Sequence, residues 1–153
     1  MTIQAWSPFQ HGFFGGVFLD DPAYPELNQA LQEVAEAHGL TRNEVDVLLF
    51  LANNPGYDTA RDIVELRGLT KSHICQSVDG LTRRGWLSGV QDGQDRRRVH
   101  LSLLPAAQTA VAAAQAVQRD FFVRLYRGVS QEERETLERV QEKMLSNLKE
   151  AQQ

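Results

Sequence analysis

The sequence predicts a mainly α-helical fold: a winged helix-turn-helix with a small β-hairpin wing, and long N- and C-terminal helices for dimerisation. Three observations predict it. A turn with two acids, Asp92-Gly93-Gln94-Asp95, opens into Arg96-Arg97-Arg98 and then into alternation. Val99, Leu101 and Leu103 fall on one face and Arg98, His100 and Ser102 on the other, the pattern of a half-buried strand rising from a hairpin tip. Directly upstream lie two short helical patterns joined by a Gly-containing turn, the order of a helix-turn-helix followed by its wing. Downstream run two long helical patterns whose apolar stripes have little of their own chain to pack against, which predicts a homodimer burying stripe on stripe.

Residues 1–22 are interrupted by Pro8, Gly12, Gly15, Gly16 and Pro22, so no helical period survives. Trp6, Phe9, Phe13, Phe14 and Phe18 make this segment too apolar for a disordered tail, and an arm packed on the body or on a second subunit is expected. Leu27, Leu31, Val34 and Ala35 mark a helix over residues 25–38, with Gly39 as its stop. Thr41-Arg42-Asn43-Glu44 is a capping box opening a second helix through Val45, Leu48, Leu49, Leu51 and Ala52, ended by Asn53-Asn54-Pro55-Gly56. Thr59-Ala60-Arg61-Asp62 starts a third, with Ile63 and Leu66 inward and Gly68 ending it. Thr70 then caps a helix to about Arg84, and Gly85 is placed to close it in a left-handed conformation.

Residues 86–91 and 98–103 flank the turn as a two-stranded hairpin. Pro105 suits the first position of a helix running from Ala106 to about Arg127. Ser130-Gln131-Glu132-Glu133 is another capping box, and the last helix carries Leu137, Val140, Met144 and Leu148 at spacings of three, four and four. The expected organisation is an arm and first helix for dimerisation over 1–40, the winged module over 41–103, and C-terminal dimerisation helices over 104–153. Together they form one intertwined domain.

A chain of 153 residues, 42% hydrophobic and 24% charged, has ordinary globular composition and room for one real core. No stretch approaches the apolar length of a membrane span. No Lys or Arg precedes Arg42, so the basic start of a secretory signal is missing. A single cysteine, Cys75, fits a reducing compartment, and a cytoplasmic, nucleoid-associated protein is expected. The net charge of −4 is unevenly spread: residues 67–100 hold seven Lys or Arg against three Asp. Polyanion binding depends on such a local patch and not on the total.

On the helix over residues 70–84, Ile74, Val78 and Leu81 share one face at the helical rotation of about 100° per residue. Opposite them lie Ser72, Gln76, Asp79 and Arg83, with His73 and Gly80 on one flank. Ser and Gln near the N-terminus of an outward helix can read base edges in a major groove, Gln being suited to adenine. Lys71 in the first turn is placed for a phosphate. Arginine forks at the hairpin tip suit bidentate recognition of phosphate or guanine edges. Lys71, Ser72, His73, Gln76, Arg83, Arg96, Arg97 and Arg98 are therefore the candidate contacts to double-stranded DNA.

The chain resembles the multiple-antibiotic-resistance-regulator (MarR) family of bacterial winged-helix transcription factors over roughly residues 25–150. The family's wing pattern is Asp, any residue, Arg, five residues, Leu-Thr; here it reads Asp95, Arg96, Arg97, five residues, Leu103-Leu104. Leu69-Thr70-Lys71-Ser72-His73-Ile74, Val78-Asp79-Gly80-Leu81 and Gly85-Trp86-Leu87 resemble its recognition helix and the start of its hairpin. The resemblance implies a homodimeric regulator, a repressor by type, with recognition helices in successive major grooves of a pseudo-palindrome. It implies that Arg97 is the minor-groove arginine and Asp95 the acid that orients the wing's basic side chains. Leu104 departs from the pattern and removes an N-cap, at a cost of about 1 kcal/mol. The resemblance further implies a small aromatic or apolar effector, whose candidate walls are Trp6, Phe13, Phe50 and Phe121; core packing is the plainer role of each.

No cofactor is expected, and no catalytic constellation is found. His11, His38, His73 and His100 include no pair at metal-ligand spacing on one helix, and Gly12, Gly15 and Gly16 follow no strand. A redox-responsive regulator acting through Cys75 is the alternative, as is a winged-helix DNA-binding protein without a ligand. Against the redox reading, a cysteine on a packed helix is more often a small apolar filler.

Overall fold

Helix α1 (Pro25–Ala37) turns Leu27, Leu31, Val34 and Ala35 into the interior, the four positions its periodicity marks. Gly39, at φ +67°, ends it, and the amide of Leu40 bonds back to the Ala35 carbonyl. The computed structural model describes residues 25–67 and 69–151, which divide into one unit through Arg119 and a second from Asp120. The aromatic arm over residues 1–22 and Gly68 lie outside the described residues.

In the first unit, α2 (Arg42–Asn53) is the central element and packs on α1, α3 (Ala60–Arg67), α4 (Lys71–Arg83) and the hairpin. Its capping box is formed: Thr41 Oγ1 accepts from the Glu44 amide at 3.1 Å, and Glu44 Oε1 from the Thr41 amide at 2.8 Å. Every residue from Glu44 to Phe50 is buried, so Val47 and Phe50 join the core beside Val45, Leu48 and Leu49. One-sided periodicity finds only half of a helix that is covered all round. Leu51 and Ala52, expected inward, are only half-buried.

Burying that much of α2 also buries charge. Asp46 lies 3.2 Å from Arg42 Nε and 3.5 Å from Arg67 Nη2, and Arg67 is 2% exposed. Arg42 reaches on to Asn28 of α1, donating to its carbonyl at 3.3 Å. This ionic centre joins α1, α2 and α3. At the other end of α2, Asn53 donates to Gln118 Oε1 at 2.9 Å and accepts from Gln115 Nε2 at 3.1 Å.

Helices α3 and α4 form the helix-turn-helix. Thr59 and Asp62 cap α3 reciprocally at 3.1 Å each way, and Thr70 caps α4 through the His73 amide. Helix α4 buries Ile74, Ser77 and Leu81, while Val78, expected in the core, is only half-buried. Gly80 lets α4 approach α2 closely: a Cβ there would stand 3.1 Å from Glu44 Oε2. Gly85, at φ +77°, turns the chain out of α4, and the Trp86 amide bonds back to the Leu81 carbonyl at 2.9 Å.

Strands β1 (Leu87–Gln91) and β2 (Val99–Leu103) pair antiparallel in the register Leu87↔Leu103 to Gln91↔Val99. Leu87 and Leu101 are buried beneath the hairpin. A 3-10 turn (Pro105–Ala107) leads into α5 (Gln108–Leu125), and Leu104 offers no side-chain cap.

In the second unit, Phe122 meets Phe121 edge-on at 5.4 Å and stacks on Tyr126 at 6.2 Å. Burial pushes the Tyr126 hydroxyl up to about 12. Helix α6 (Gln131–Ala151) opens on the Ser130–Glu133 capping box, with both bonds at 3.1 Å. Leu137, Val140, Met144 and Leu148 are 41–61% exposed along it.

Candidate nucleic-acid interface

The outward face of α4 carries Lys71, Ser72, His73, Gln76, Asp79 and Arg83, all exposed. Burial of Ile74 and Leu81 at the helical period forces the intervening positions outward. Arg83 leans along its own helix, with Nε donating to the Asp79 carbonyl at 3.4 Å. Its neighbour Arg84, also exposed, is engaged by the protein itself, donating to the carbonyls of Gly39 at 2.9 Å and His38 at 3.4 Å and covering the Trp86 ring at 4.7 Å. Composition counts these two arginines alike, and their partners separate them.

The wing tip is built around two aspartates. Asp92 Oδ1 accepts from the amides of Gln94 at 2.8 Å and Asp95 at 3.3 Å. Asp95 Oδ1 accepts from the Arg97 amide at 3.0 Å and lies 3.8 Å from Arg97 Nε. The strand ladder is extended by Asp92 N–H to the Arg98 carbonyl at 2.8 Å, and Arg98 N–H closes a turn on the Asp95 carbonyl at 3.0 Å. Arg96, Arg97 and Arg98 project from this turn, and the Arg97 side chain is 96% exposed. Asp95 therefore braces the arginine by its backbone first and only loosely by its guanidinium.

The root of the wing holds an arrangement that sequence reasoning missed. His100 Nδ1 stands 2.8 Å from Asp58 Oδ1, and Nε2 stands 3.0 Å from Asp92 Oδ2. The same Asp58 accepts from the Leu101 amide through its carbonyl at 2.8 Å. Bonds to Asp58 and Asp92 raise His100 above its ordinary 6.5. The Gln94 amide, then His100 and the Asp95 amide, hold Asp92 down to about 2. The hairpin register pairs Val90 with His100, which brings position 100 near Asp92; nothing local signals Asp58, 42 residues away.

Between α4, the start of α3 and the wing runs a cleft of about 540 Å³. Cys75, Val78 and Thr82 line one side, Val99 and Leu101 another, and Arg97 and Arg98 its rim. Cys75 is exposed on this wall, which corrects the expectation of a packed apolar filler. Of the aromatic candidates, Phe50 is fully buried in α2, Phe121 lies in the second unit, and Trp6 and Phe13 fall outside the described residues.

Residues 38–98, which span α2 to the wing tip, match the family model described as MarR family. No curated protein matches the chain. Among solved structures, S. aureus MepR in its DNA-binding conformation is similar at a TM-score of 0.69 and 23% identity, covering 86% of this chain and 96% of that one. A MarR-family transcriptional regulator from Silicibacter pomeroyi is similar at a TM-score of 0.67 and 22% identity, covering 80% and 82%. The S. aureus MepR–DNA complex is similar at a TM-score of 0.53 and 23% identity, covering 86% and 98%.

Proposed function

We propose that the chain, whose residues 38–98 match the MarR family model, is a sequence-specific, dimeric, DNA-binding transcriptional regulator of the repressor type. The observation that carries the reading is the arginine wing tip, braced by Asp92 and Asp95, on the same unit as an α4 face that exposes Ser72, His73 and Gln76. In this reading α4 lies in a major groove, where Gln76 and Ser72 meet base edges and Lys71 a phosphate. Arg97 enters the adjacent minor groove, and Arg96 and Arg98 meet the backbone. The exposed stripe of α6 buries against a second copy, and the two-fold dimer reads a pseudo-palindromic operator.

The resemblance adds release by a small aromatic or apolar effector, acting through the separation of the two recognition helices. Titration of the protein against its own upstream DNA at several salt concentrations tests the core of the proposal. Specific binding that weakens steeply with salt is expected, because several phosphates are neutralised. Salt-independent binding, or none, would overturn it.

A second reading, release by oxidation, is favoured by the exposure of Cys75 on the cleft that Arg97 and Arg98 border. Peroxide-sensitive release from DNA that survives Cys75→Ser would remove it.

A further inference from the structure

We propose that His100 is a pH-responsive positioning residue of the wing: as an imidazolium it clamps the hairpin turn to the loop before α3, and its deprotonation loosens the presentation of Arg97. The inference rests on the DNA-binding reading for its consequence, but the clamp itself stands on geometry.

Both ring nitrogens of His100 face carboxylate oxygens, Asp58 Oδ1 at 2.8 Å and Asp92 Oδ2 at 3.0 Å. An ionised carboxylate only accepts, and a neutral imidazole has a single N–H. The imidazolium satisfies both partners; the neutral ring must leave one nitrogen lone pair facing an oxygen lone pair. Loss of the proton therefore breaks one side of the clamp.

The Asp92 side leads directly to the arginine. The second oxygen of Asp92 holds the amides of Gln94 and Asp95, and Asp95 holds the Arg97 amide at 3.0 Å. The Asp58 side leads into the helix-turn-helix, because Asp58 directly precedes the Thr59 cap of α3 and also takes the Leu101 amide.

The surrounding charges favour the protonated ring. Asp58 and Asp92 are its two anions, and β1 opposes it with uncharged Val90. On its own strand side the nearest cation in sequence, Arg98, is exposed. On α3, Arg61 is engaged by Glu65 at 2.8 Å, and Asp62 by the Thr59 amide. Because His100 is raised from its ordinary 6.5, the clamp is complete below that value and is lost as pH rises through the higher folded value.

Two measurements on the full chain test the proposal. In the free protein, the NMR titration midpoint of His100 should lie above 6.5 and fall in Asp58→Asn. In DNA titrations at fixed salt between about pH 6 and 8.5, wild-type affinity should fall as pH rises. His100→Gln should lose most of that pH dependence, whereas His38→Gln, at a histidine outside the α4 face and the wing, should keep the slope of wild type. A midpoint at or below 6.5, or His100→Gln following the wild-type pH profile, overturns the proposal. Wild-type protein that shows the raised midpoint but binds no DNA at pH ~6 overturns the DNA-binding reading, and with it the role assigned to the clamp.

Discussion

Replacing Asp46 with Ala removes a carboxylate that holds two guanidinium groups, Arg42 at 3.2 Å and Arg67 at 3.5 Å. The two contributions differ because the two arginines see different solvent. Arg42 is 21% exposed, so water and Asn28 can take over part of its solvation. The Arg67 side chain is 1% exposed and Asp46 5%, so water cannot take the place of the Asp46 carboxylate beside this guanidinium. Removing one partner of a buried pair costs about 3–5 kcal/mol, whereas a solvent-facing pair contributes about 0–1 kcal/mol. The loss in Asp46→Ala is therefore expected near 3–5 kcal/mol, almost all of it from Arg67. That corresponds to a fall in Tm of roughly 6–20 °C for a chain of this size.

The assay is urea unfolding followed by circular dichroism at one fixed protein concentration, since the proposed dimerisation would make apparent stability concentration-dependent. The double variant Asp46→Leu with Arg67→Met should regain most of the loss, because an apolar pair of similar volume removes both desolvation costs. A single variant that loses less than about 1 kcal/mol, or a double variant no more stable than the single, would refute the assignment of this centre as a buried ion pair.

Arg97→Ala should leave the unfolding curve unchanged, its side chain being 96% exposed, while weakening DNA binding and lowering the salt slope by about one. Normal binding by this variant would remove Arg97 from the interface. Gly89→Ala should destabilise the wing by about 1–3 kcal/mol through overpacking, since the new Cβ would stand 2.7 Å from Val99 Cγ1. Adding Val99→Ala should restore stability, and a double-mutant cycle in urea reads the coupling directly. Val140→Glu, at a position 46% exposed on α6, should preserve helicity but shift sedimentation from dimer to monomer; an unchanged dimer would place the subunit contact elsewhere.

Much of the architecture is written in short-range pattern. The box Thr41–Glu44, the reciprocal cap Thr59–Asp62, the cap at Thr70 and the left-handed Gly85 each concern residues within one or two turns of one another. Period-two alternation over residues 99–103 places the wing strand for the same reason. Burial at Leu27, Leu31, Val34 and Ala35 follows from the period of a helix covered on one side. The helix covered on all sides, α2, is where periodicity stops informing: it does not mark Val47, and core packing of Phe50 is expected only as the plainer role of a candidate pocket wall.

By itself, then, the sequence determined the element order, the caps, the outward face of α4 and the concentration of arginine at the wing tip, because each depends on neighbours along the chain. Only the tertiary structure decided which charged residues are engaged by distant parts of the chain. Arg67 meets Asp46 across 21 positions, Arg84 meets Gly39 across 45 and His100 meets Asp58 across 42. A guanidinium or an imidazole carries no local sign of the carboxylate or carbonyl that will receive it. Its role is set by desolvation and hydrogen bonding between segments that meet only when the core closes.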